Sequence, residues 1–151
     1  METLVEAAVA NNIEPEVLVA LIHEESRWKP WVESKAGACG LTQVIPKYAK
    51  AKASCTKLKR PKTSIRIGAK VLSRWIYGYG DGDYMEGLCG YNGGYRCPTL
   101  SRSRAYARRV MRMAKRLTSE AEAQRSYRML IDSFQLEISI DPLDASTTVE
   151  K

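Results

Sequence analysis

Histidine is almost missing from this chain: His23 is the only one in 151 residues. No Cys-x-x-Cys pair occurs among the four cysteines, so the usual ligand sets for a zinc ion are absent. Nor does any apolar run approach the length of a membrane-spanning helix, which predicts no membrane span. The opening residues, METLVEAAVANN, carry acids, lack a cationic start and hold no long apolar core. That pattern excludes a conventional signal peptide. There is no internal repeat. No recognition motif accompanies the chain's positive charge, so a nucleic-acid partner is not expected.

What is present suits one domain with a modest core, since 44% of the residues are hydrophobic. The net charge of +7 conceals an asymmetry: residues 1–117 hold 21 basic and 10 acidic side chains, residues 118–151 hold 3 and 7. A basic body of this kind suits an anionic polymer. Much of it falls on one predicted helix, through Arg102, Arg104, Arg108, Arg109, Arg112, Lys115 and Arg116, whose charges spread around most of the helix. A solvated face and a polymer-attracting face both fit.

Cys39, Cys55, Cys89 and Cys97 allow three complete pairings. Cys89 and Cys97 flank a short glycine-rich turn, which favours that pair, and Cys39–Cys55 follows by elimination. Four free thiols in a reducing compartment is the alternative.

Nearly every segment reads as helix. The first covers roughly Glu2–Asn11, with Leu4, Val5, Ala8 and Val9 inward. A second starts at Pro15, where proline's missing N–H removes no bond, and stops before Lys29–Pro30. Trp31–Leu41 reads as a loop, Gln43–Ala53 as a weak helix or turn, and Lys57–Lys62 as a connector. Thr63 or Ser64 can cap a helix in which Ile65, Ala69, Leu72, Trp75 and Ile76 share a face. A glycine-punctuated break at Tyr77–Gly82 precedes a short helix capped by Asp83, and Asn92–Gly94 reads as a turn. A helix over Ser101–Leu117 places Tyr106, Val110, Met113 and Leu117 inward. Ser119 with Glu122 reads as a capping box for a last helix to about Gln135. Leu136–Ile140 suits a short strand, and the residues after Pro142 an acidic tail. The expected fold is all-α: a helical body over 1–117, then a C-terminal helix and flexible tail over 118–151.

One residue breaks the pattern. Val17, Leu18, Leu21, Ile22 and Trp28 share a face of the second helix, and Glu25 lies near the middle of that apolar arc. Glu24 sits roughly 80° away, at its margin. A carboxylate on a buried stripe must be paired or hold its proton through a raised pKa. Pairing points to a salt bridge with Lys29 or Arg27. A retained proton is what a general acid near neutral pH requires. His23 falls on the far side and reads as an exposed side chain.

Around that carboxylate stand three separated motifs. Glu25-Ser26, then Ser34, then Gly37-Ala38-Cys39-Gly40-Leu41-Thr42-Gln43 resembles the first signature of soluble lytic transglycosylases. Gly90-Tyr91-Asn92-Gly93-Gly94 resembles the second, and Tyr106 with Val110 the third. The resemblance spans about residues 10–117 and implies a lysozyme-like helical domain. It also implies cleavage of the β-1,4 bond between N-acetylmuramic acid and N-acetylglucosamine in peptidoglycan. On that basis Glu25 is the catalytic residue, with Ser34, Gln43, Tyr91, Asn92 and Tyr106 contributing to substrate binding or to orienting it. Family members need no metal or cofactor.

This chain departs from the family pattern at three places, one of them Cys39, which sits beside the catalytic loop where a disulfide would brace it. Thr42 stands where methionine is usual, which implies an altered wall for the sugar. Gly93 replaces an alanine, a small change. Between Glu25 and Asp81 the one other acid is Glu33, so a single carboxyl serving as acid and then base fits better than the usual glycosidase pair. A water-adding lysozyme of the goose-egg type and a non-catalytic basic wall-binding module are the alternatives. The setting suggested is a monomer acting on the bacterial cell wall in the periplasm. A phage lysis or virion protein is the favoured setting and a bacterial protein associated with a secretion machine the alternative, with the C-terminal segment available to a protein partner.

Overall fold

The computed structural model describes residues 2–48 and 53–139, with side chains for 4–48 and 53–132. Helices dominate: α1 (Glu2–Val9), α2 (Pro15–Ser26), α3 (Cys55–Leu58), α4 (Pro61–Gly78), α5 (Tyr84–Gly93) and α6 (Ser101–Ser139). Two 3-10 turns, Pro46–Tyr48 and Gly94–Thr99, complete the regular structure of the described residues. None of these helices is long and apolar enough to cross a membrane. Two compact units emerge, Met1–Leu117 and Thr118–Lys151.

In the first unit α2 is the central element. Val17, Leu18, Ala20, Leu21 and Ile22 are each fully buried, and each large side chain among them contributes about 2 kcal/mol by leaving water. They meet Leu4, Ala7 and Ala8 of α1, Ala69, Leu72 and Ile76 of α4, Leu88 of α5, and Ala107 and Val110 of α6 in one core. α4 packs against α1, α3 and α5. A smaller cluster of Cys39, Val44, Ala53 and Leu58 lies under the loop that follows α2.

Several expectations need correction. On α1 the inward face is Leu4, Ala7 and Ala8, while Val5 and Val9 are exposed. Alanines let α1 approach closely, and a hydropathy pattern favours the larger valines. Arg27 ends α2 in the left-handed region and Trp28 also has positive φ, so Trp28 leaves the apolar stripe and is exposed. His23 is partly buried. The expected connector over Lys57–Lys62 holds the last turn of α3 and the start of α4, whose first turn accommodates Pro61 as α2 does Pro15. The N-cap is therefore Arg60, ahead of both Thr63 and Ser64. Trp75 is partly buried. Asn92 and Gly93 are the last residues of α5, and the turn is made by Gly94 with φ of 61°. Asp83 caps that helix, accepting from the N–H groups of Met85 and Glu86 at 2.6 and 3.1 Å.

α6 runs unbroken from Ser101 to Ser139. It replaces both the two expected helices and the expected strand over 136–139. No proline or glycine interrupts the segment, so the Ser119–Glu122 box lies inside one helix instead of opening another. Residues 49–52, Ile140 and the tail after Pro142 lie outside the described residues.

Candidate active site

Between α2 and α3 the chain forms a stapled loop. Antiparallel bridges Glu33–Cys39 and Cys39–Val44 fold it on itself, and the disulfide Cys39–Cys55 ties it to α3. Gly40 sits in the left-handed region at φ of 78°, where a Cβ would strike the backbone carbonyl of Leu58. Only glycine meets both conditions. A second disulfide, Cys89–Cys97, joins α5 to the following 3-10 turn. Both pairings match the expected connectivity, and the four-thiol alternative is set aside. Glu33, Cys39 and Cys55 bring metal-ligating atoms together, but the two sulfurs are bonded to each other and offer no thiolate to a cation.

Glu25 stands in the last turn of α2, and Tyr106 of α6 donates a hydrogen bond to its Oε1 at 2.6 Å. The carboxyl's pKa is raised from 4.5 to about 7. Burial is the main cause, Glu24's charge adds to it, and the Tyr106 hydrogen bond opposes it. Tyr91 of α5 lies close enough to feel the same carboxylate. Its hydroxyl donates to the backbone carbonyl of Thr42 at 2.7 Å. Glu25 and Tyr91 retain some surface, yet their titrating ends lie deep enough for burial to dominate. Both phenols are pushed well above 10, by burial first and by Glu25 next.

The expected salt bridge to Glu25 falls instead on its neighbour. Glu24 meets Arg109 of α6 at 2.6 Å and Arg27 at 4.0 Å.

The other sequence-predicted residues are placed differently. Ser34 accepts from the N–H of Ala38 at 3.0 Å. Gln43 donates to the carbonyls of Gly40 and Val32 at 2.9 and 3.2 Å, holding its own left-handed backbone at φ of 48°. These two side chains brace the stapled loop. Asn92 is exposed, and its Oδ1 accepts from Ser103 of α6 at 2.9 Å. The glycine beside it makes this approach possible: a Cβ on Gly93 would sit 2.6 Å from Ser103 Oγ. The alanine-to-glycine departure is thus matched to Ser103, which is fully buried.

Thr42 also corrects its reading. Its side chain is fully buried and faces α4, not a sugar: Oγ1 donates to the Ser64 carbonyl at 3.0 Å and packs where Gly68 has no side chain. Thr42→Val keeps the shape and loses that bond, so unfolding free energy should fall by about 1–2 kcal/mol in a denaturant titration. An unchanged midpoint would mean the hydroxyl holds nothing.

Sequence reasoning missed Glu24, Arg109 and Ser103 as members of the site. No local signal singles these residues out, since Arg109 is one of seven cations between Arg102 and Arg116.

Fold and site together define an all-α domain built around one proton-holding carboxyl at a helix end. A transglycosylase SLT domain model matches residues 2–111, and the chain belongs to that family. It is 30% identical over 112 residues to a transglycosylase of Enterobacteria phage PRD1, covering 74% of this chain and 41% of that protein. Among solved structures it resembles an inactive mutant of the lytic transglycosylase Slt from Pseudomonas aeruginosa, with a TM-score of 0.73 and 23% identity over 81% of this chain and 24% of the other. The 70-kDa soluble lytic transglycosylase from Escherichia coli gives a TM-score of 0.68 and 23% identity, covering 75% and 23% of the two chains. At that identity the structures speak for the fold alone. The chain spans less than half the length of the curated relative and about a quarter of the two solved enzymes.

Proposed function

We propose that residues 1–117 are a lytic transglycosylase domain that cleaves the β-1,4 bond between N-acetylmuramic acid and N-acetylglucosamine in peptidoglycan. The observation that carries this reading is the Glu25 carboxyl, held near neutrality by burial and oriented by Tyr106. Protonated Glu25 gives its proton to the glycosidic oxygen as the C1–O bond breaks. The resulting carboxylate takes the proton from the muramic C6 hydroxyl while that oxygen bonds to C1. The products are a free 4-hydroxyl and a 1,6-anhydromuramic end, and no water is consumed.

A water-adding glycosidase normally supplies a second free carboxylate. Here the adjacent acid, Glu24, is engaged by Arg109, which favours the single-carboxyl route over a goose-type lysozyme. Asn92 and the stapled loop held by Ser34 and Gln43 bound the substrate, with Tyr91 fixing that loop to α5. The basic body attracts anionic wall polymers, so activity should fall with added salt. The bacterial cell wall in the periplasm is the site of action and phage lysis or virion entry the setting, with residues 118–151 available to a protein partner.

Mass spectrometry of digested sacculi tests the reaction. Anhydromuramic ends are expected, two hydrogens and one oxygen lighter than hydrolysed ends. Reducing ends would establish the lysozyme reading instead.

A further inference from the structure

Two adjacent acids on α2 are met by two residues one turn apart on α6. Tyr106 reaches Glu25, while Arg109 directs Nε and Nη2 at a single oxygen of Glu24, at 2.7 and 2.6 Å. The Glu24 side chain is 18% exposed and that of Arg109 53%, so solvent screens the pair from the arginine side only. Among the described residues, the charged and titratable groups around Glu25 are Glu24 and, beyond it, Arg27 on α2, Tyr91 on α5, and Tyr106 and Arg109 on α6. Arg27 approaches Glu24 only at 4.0 Å, which leaves Arg109, with two contacts under 3 Å, as the main counter-charge.

We infer that Arg109 is a positioning residue for the proposed reaction, acting through Glu24. It offsets part of the charge of the carboxylate next to Glu25 and fixes the register of α6 that lays Tyr106 on Glu25. The inference rests on the assignment of Glu25 as the proton carrier. Two like charges on neighbouring residues oppose each other's ionisation, and a cation on one relieves the other. Without Arg109, Glu24's charge bears fully on Glu25, which then holds its proton more tightly and surrenders it less readily to the leaving oxygen. Without Glu24, the opposite holds.

The test is the pH profile of kcat/KM and a 13C titration of Glu25 in Arg109→Gln, Glu24→Gln, the double variant and Arg109→Lys. The basic limb, which reports loss of the Glu25 proton, should move up by roughly one pH unit in R109Q and down by a similar amount in E24Q. In the double variant it should return close to the wild-type position. R109Q should also lower kcat roughly tenfold with little change in KM, through the loosened Tyr106 contact, and R109K should restore most of it.

A strut without electrostatic function would lower the melting temperature of R109Q and E24Q while leaving both titrations in place, and that result overturns the inference. So does movement of both limbs in the same direction. Should R109Q not fold, the downward movement in E24Q and its cancellation in the double variant decide alone. The 13C titration needs no turnover. It therefore separates failure of this linkage from failure of the catalytic assignment, which active Glu25→Gln would reveal.

Discussion

Replacing Glu25 by glutamine is expected to lower glycan cleavage by at least ~10³-fold and, at the same time, to stabilise the fold above neutral pH. The loss follows from one carboxyl serving both proton transfers, with the adjacent acid, Glu24, held by Arg109. The gain follows from linkage. Unfolded, the carboxyl ionises near 4.5; folded, it ionises at about 7. Between those values the folded chain keeps a proton that the unfolded chain releases, so wild-type stability declines as pH rises through this window. Above it the burial cost is complete, at most about 3 kcal/mol. Glutamine offers Tyr106 the same kind of acceptor and carries no charge to bury. Unfolding at about pH 8 should therefore show E25Q more stable than wild type, with the two nearly equal at about pH 4. A variant that cleaves sacculi at the wild-type rate would remove Glu25 from the mechanism. One with unchanged stability at high pH would contradict the buried, proton-holding state.

The second large effect is expected from the disulfide between Cys39 and Cys55. The partners lie 16 positions apart in sequence, so the crosslink removes chain entropy from the unfolded state worth about 3 kcal/mol. The Cys39Ala/Cys55Ala double variant should lose about that much stability, or on the order of 10 °C in melting temperature for a domain of this size. Cys39 also takes part in both bridges that fold the loop. Activity below the transition should fall with stability, because the backbone of Thr42, to which Tyr91 is bonded, belongs to the same loop. A double variant that melts with wild type would show that the loop's hydrogen bonds and the Leu58 cluster suffice without the crosslink.

How far the sequence foretells this molecule depends on what each feature rests on. Glu25 is legible because a charge on an apolar stripe violates a strong local rule, and the helices because their periodicity is local. Val5 and Val9 mislead because burial on α1 is decided by how closely other helices approach, which favours Ala7 and Ala8. Ser119 misleads because a capping box marks a possible start and cannot end the helix already under way. Thr42 reads as a departure from the family pattern until Ser64 and Gly68, more than twenty residues later, are seen to receive it. Arg109 is hidden differently. It is one of seven cations in its stretch, and nothing local distinguishes the one that meets Glu24.

The two phenols beside Glu25 bear on where protons can come from. Tyr91's hydrogen is committed to the Thr42 carbonyl and Tyr106's to Glu25 itself. Both hydroxyls are held well above 10, so neither lends a proton near neutrality. In the proposed reaction the carboxyl regains, from the C6 hydroxyl of the same sugar, the proton it gave to the leaving oxygen. Each turnover is then closed in protons. Glu25 finishes in the state in which it began, ready for the next bond without recharging from bulk water.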